Sequence, residues 1–148
     1  MNRLKVQIIA ALLVLSLGVP GALARNQAEE FQRTVQGYDM LEAGKLGQAQ
    51  QLYEQVLRED PGNPMALNNL GAIMVKQRKY REALDYLEKA LPRAKDYQVR
   101  VNRVCDVEGI CLAFRPLEEE YGNQDLERLV KLNIALIKER LRAPPAAK

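Results

Sequence analysis

Sliding the sequence along itself by 34 residues places Gly37 on Gly71, Met40 on Met74, Leu46 on Tyr80, Ala49 on Ala83, Tyr53 on Leu87 and Leu57 on Leu91. A fixed period of that length means that one supersecondary unit is written twice, and that each copy buries its apolar side against its neighbour. Strand signals are nearly absent, and Ala, Leu, Glu, Gln, Lys and Arg dominate at helical spacing. Leu67, Leu70 and Met74 make one apolar stripe, and Tyr80, Leu84, Leu87 and Leu91 make the facing one, so the unit is a pair of antiparallel helices. Gly71 and Ala83 are small where those helices cross, because a larger side chain would force the axes beyond the ~8–10 Å of ordinary packing. Pro61 follows the first hairpin and Pro64 suits a first helical turn. Pro92 predicts a helix end near Leu91.

The stretch from Pro64 to Leu91 resembles a tetratricopeptide repeat, with Leu67 standing where that family often has tryptophan. Residues 30–63, ending Asp60-Pro-Gly-Asn63, resemble the repeat before it. This first unit departs from the family pattern at Arg33 and Gln36, where apolar residues are preferred, which predicts an irregular or partly uncovered opening helix. The expected fold class is all-α: tandem antiparallel helical hairpins in a tetratricopeptide-like α-solenoid, closed by a C-terminal capping helix. Two repeats are expected over residues 25–95 (about 30–63 and 64–95), and a degenerate third unit with the capping helix over 96–142.

In that third unit Val101, Val104 and Cys105 take the places of Leu67, Leu70 and Gly71, and the register dissolves beyond them. Arg115-Pro116 breaks any helix there. Asn123 then caps a long helix from Gln124 to about Arg142, and residues 143–148 form a disordered tail. On a helical wheel the apolar residues of the last helix span about 200°, wider than a simple surface stripe. Either the third unit covers the excess or the helix meets a second copy or a partner.

The chain opens with Arg3 and Lys5, an apolar run from Ile8 to Leu17, and a small-x-small ending at Ala24. This pattern is a secretory signal peptide over residues 1–24, cleaved after Ala24; the apolar run falls short of the roughly 18–20 residues of a spanning helix. A periplasmic location is expected, with an uncleaved inner-membrane anchor as the alternative. Cleavage removes two of the 22 basic side chains and none of the 19 acidic ones, leaving a nearly neutral chain with interspersed charge. Nucleic acid and anionic membrane surfaces call for a clustered basic patch, so neither is expected as a partner.

Both cysteines, Cys105 and Cys111, lie six residues apart, and there is no histidine. A zinc site needs four ligands, so no metal is expected. Cys-x-x-Cys, the spacing of thioredoxin-like centres, is absent. A disulfide and a pair of buried thiols remain open: six residues apart on one helix the sulfurs could not meet, whereas Gly109 allows a turn that joins them, and an exported chain enters an oxidising compartment.

The lack of histidine removes the usual general base, and no glycine-rich phosphate loop appears, so no enzyme, cofactor or small-molecule substrate is expected. The family resemblance implies instead a concave groove that takes a peptide or helix of another protein. Carried over position by position, the groove is lined by Phe31, Thr34, Tyr38, Leu41 and Glu42, then by Met65, Asn68, Asn69, Ala72, Val75 and Lys76, then by Asn102, Arg103 and Asp106. The apolar members suit an amphipathic helix or extended apolar segment. The N-terminal segment or the terminal helix of the same chain could fill it instead. The expected function is a non-catalytic adaptor of the bacterial cell envelope that assists complex assembly; the alternatives are a thiol-dependent redox protein using Cys105 and Cys111, and a self-assembling protein that pairs through residues 124–142.

Overall fold

A computed structural model describes residues 20–95, 97, 101–107, 110–116 and 126–142; in the helix from Pro20 and in the two strands it describes the side chains of 27–42 and of Ala113. The chain divides into two compact units, Met1–Glu30 and Phe31–Lys148. The described elements are α1 (Pro20–Glu42), α2 (Leu46–Glu59), α3 (Pro64–Lys76), α4 (Tyr80–Ala94), β1 (Val101–Val107), β2 (Ile110–Pro116) and α5 (Leu126–Arg142). Most of the expected signal peptide, residues 1–24, and all of the expected tail, residues 143–148, lie outside the described residues. Among the described residues no helix is long and apolar enough to cross a membrane.

The 34-residue period reappears in the backbone. The turn from α1 to α2 has Gly44 at φ 74°, and the turn from α3 to α4 has Arg78 at φ 60°. Gly44 N–H donates to the Leu41 carbonyl (3.1 Å) and Lys45 N–H to that of Met40 (2.8 Å); one period later Arg78 donates to Val75 (2.8 Å) and Lys79 to Met74 (2.9 Å). These bonds satisfy carbonyls that a helix end leaves open, through one residue in the left-handed region. Glycine adopts that region freely, while arginine at the second turn carries a cost of about 1 kcal/mol. Arg78→Gly is therefore expected to stabilise the chain by about 0.5–1 kcal/mol, read as a higher urea midpoint at unchanged slope.

The helix crossings repeat as well. A Cβ on Gly37 would lie 2.8 Å from the Tyr53 ring, and one on Gly71 would lie 3.1 Å from Leu87 Cγ and 3.3 Å from the Ala83 carbonyl oxygen. Tyr53 and Leu87 are themselves one period apart, so α1 meets α2 as α3 meets α4. Asn63 caps α3 by accepting from Ala66 N–H (2.9 Å), with Pro64 in the first turn. The guanidinium of Arg93, near the end of α4, pairs with Asp60 in the α2–α3 turn.

Helix α3 is the centre of the second unit: every residue from Pro64 to Val75 is buried. A helix apolar on all sides is covered on all sides, and α3 packs against α2, α4 and the strands.

Three expectations need correction. Residues 101–116 are an antiparallel β-hairpin, not the start of a degenerate helical unit. The helical solenoid holds up to there, and the all-helical expectation gives way where β-branched Val101, Val104, Val107 and Ile110 prefer a pleated surface. Helix α4 continues through Pro92 to Ala94; a proline in the last turn forfeits only one helical bond and leaves little helix beyond it to disrupt. The opening helix is not irregular but continuous through Arg33 and Gln36, and it is partly uncovered there as expected, with Gln36 exposed and Arg33 half-buried in an ion pair with Glu59 near the end of α2.

Candidate partner-docking face

The residues assigned to the groove fall into three groups. Phe31 is half-buried, and Glu42 and Lys76 are exposed. Thr34, Tyr38, Leu41, Met65, Asn68, Asn69, Ala72 and Val75 are buried, five of them with no accessible surface beyond α1. Asn102, Arg103 and Asp106 lie on β1 and their side chains are outside the described residues; by register Asn102 stands opposite Arg115 and Asp106 opposite Cys111, with Arg103 at an irregularity between Asn102 and Val104.

The expectation of an open lining therefore fails for Met65, Asn68, Asn69, Ala72 and Val75, and for the α1 residues Thr34, Tyr38 and Leu41. Along α3 the physical reason is that later elements fold back over it. Strand β2 packs on α3, and Ala113 joins the same buried core. Helix α5 stacks on α4, burying Leu126, Val130, Ile134 and Ile137, and Lys138 Nζ reaches Glu88 (3.0 Å) at the rim. The chain fills its own hollow, partly with the terminal helix, the alternative to an outside partner, and partly with an unexpected hairpin.

Within that covered face runs a line of buried carboxamides. Asn133 Nδ2 on α5 donates to Asn68 Oδ1 (3.0 Å), Asn68 Nδ2 donates to Asn69 Oδ1 (3.2 Å), and Asn69 Nδ2 donates to the Tyr53 hydroxyl on α2 (3.0 Å). Burial would cost each amide about 1–3 kcal/mol without a partner, so the line is favourable only while all members stand in register. Asn68 and Asn69, expected to line an open groove, bond the chain's own side chains instead. Tyr53 and Asn133 were not among the expected site residues. Asn133 carries a signal that could have found it, a single carboxamide amid the aliphatic side of the last helix; Tyr53 carries none beyond its core position.

The disulfide expectation falls on side chains outside the described residues. The backbone places Cys105 opposite Ala113 and Cys111 opposite Asp106, on neighbouring rungs separated by a register shift between Cys105 and Asp106. The single-helix geometry, in which the sulfurs could not meet, does not apply to a hairpin.

Residues 40–104 match the model of a tetratricopeptide repeat family. No curated protein and no solved structure matches the chain.

Proposed function

Because residues 40–104 carry tetratricopeptide repeats, which generally mediate protein–protein interaction, we propose that this chain is a non-catalytic adaptor of the bacterial cell envelope. In this reading residues 1–24 direct export, cleavage after Ala24 releases the chain into the periplasm, and it assists complex assembly by docking a peptide or helix of a partner.

The observation that carries the reading is the turn-for-turn recurrence of the two hairpins, Gly44 and Arg78 holding equivalent left-handed positions one period apart. It makes a tandem scaffold, and the absence of histidine in the whole sequence removes the commonest acid–base group. The covered face of α3 narrows where a partner can engage. The accessible expected residues are Phe31, Glu42 and Lys76, and docking deeper along α3 requires the hairpin to give way.

A photo-crosslinking side chain placed at Phe31 or at Lys76 in living cells is expected to yield one discrete adduct, which the same probe at exposed Gln51 on α2 does not give. Loss of that contrast, with export intact, rejects the docking. N-terminal sequencing of the chain from cells is expected to begin at Arg25; a chain retaining Met1 in the membrane fraction favours the anchored alternative. Cys105 and Cys111 are expected to resist thiol alkylation until reduced, since an oxidising compartment favours a disulfide; alkylation without reductant rejects it.

A further inference from the structure

Helix α5 keeps apolar surface after stacking on α4. Leu129 and Leu136 are half-buried, and Leu132 between them is 53% exposed. Their i, i+3, i+7 spacing repeats that of Leu67, Leu70 and Met74 on α3, the stripe that α4 covers. Leu129 and Leu136 lean on the core from the sides, and Leu132 is the member of the stripe left open.

The flank of that stripe says what would fit. Arg128, Leu132, Ala135 and Glu139 are all exposed and run at spacings of four, three and four along one side of α5. Turning a second copy of this helix end for end about a point between Asn133 and Ile134 sets Arg128 against Glu139, Leu132 against Ala135, and each in return. The pattern is self-complementary under a two-fold axis, with opposite charges at both ends, a large apolar residue facing a small one at the centre, and the same patch contributed twice. A parallel pairing would instead set Arg128 against Arg128. Glu139 already holds Arg142 at 2.9 Å, but both are more than 70% exposed, and such a pair yields readily to a competing guanidinium.

We propose that α5 pairs antiparallel with α5 of a second copy, through Leu132 and Ala135 at the centre and reciprocal Arg128–Glu139 ion pairs at the ends. The contact goes beyond the adaptor reading and does not depend on it. The seam spans about three turns, shorter than a standard stable interface, so the dimer dissociates on dilution and weakens with salt.

Sedimentation equilibrium of the chain purified from cells, over a wide concentration range at low salt, is expected to show the mass rising toward that of a dimer. Leu132→Glu, at an exposed position that leaves the core untouched, should give a monomer at every concentration with an unchanged thermal midpoint. Arg128→Glu and Glu139→Arg should each weaken association about tenfold or more, and the double swap should bring it back to within about threefold of the parent. A monomer throughout for the parent chain, a dimer indifferent to Leu132→Glu, or a double swap no better than the singles overturns the proposal.

Discussion

Replacing Tyr53 with alanine is expected to lower the unfolding free energy by about 4 kcal/mol, measured by urea denaturation. The ring has no accessible surface and lies against Gly37 at the crossing of α1 and α2. Its removal leaves a cavity that the glycine cannot fill, and truncations of buried aromatics cost about 3–5 kcal/mol. The hydroxyl adds a second effect, because Asn69 loses the acceptor of its 3.0 Å bond. Tyr53→Phe separates the two: it keeps the ring and removes only the hydroxyl, for about 1–2 kcal/mol. A domain of ordinary stability, about 5–15 kcal/mol, would survive the phenylalanine and be left marginal by the alanine. Equal losses for the two variants would show that the hydrogen bond, not the packing, carries the site.

The second large effect is expected from Asn68→Asp. The substitution preserves shape, yet replaces the amide that donates to Asn69 Oδ1 by an oxygen and places a carboxyl where no accessible surface exists. Uncompensated buried charge costs about 3–5 kcal/mol. Burial favours the neutral acid, so the folded-state pKa of the new carboxyl is raised above its unfolded value. The sign follows: the variant is least impaired at pH below the ordinary aspartate range, and it loses stability as pH rises from there through the raised folded value. Unfolding curves at pH 4 and pH 7 should therefore diverge for the variant far more than for the parent. A variant as stable as the parent at pH 7 would mean that the carboxamide line is solvated.

The tandem hairpins were legible in the sequence because their determinants are local. Gly37 and Gly71, Tyr53 and Leu87, and the turn residues Gly44 and Arg78 all act within one unit or between adjacent units, and the period copies them faithfully. The hairpin at 101–116 was misread because Val101, Val104 and Cys105 fit a helical spacing that the preceding repeats suggested. Their β-branched composition, and the connection of only two residues, Glu108 and Gly109, between Val107 and Ile110, argued for strands. Tertiary expectation overrode local propensity, and local propensity was right. The docking face was illegible for a different reason. A sequence shows which residues of α3 can line a hollow, but whether that hollow stays open depends on elements that arrive later, and Asn68 meets a partner 65 residues away. Arg33 shows the same limit at shorter range: its mismatch to the repeat pattern is resolved by Glu59, 26 residues on.

The burial of α3 by segments from both directions of the chain also governs the order of assembly. Neighbouring helical pairs close small loops and can form early, whereas the contacts of β2 and Asn133 with α3 wait on far larger loop closures. A nascent or truncated chain ending near residue 95 would hold its most apolar helix bare on one side, a sticky intermediate rather than a finished module. The last third of the polypeptide thus supplies the cover without which the first two would expose α3.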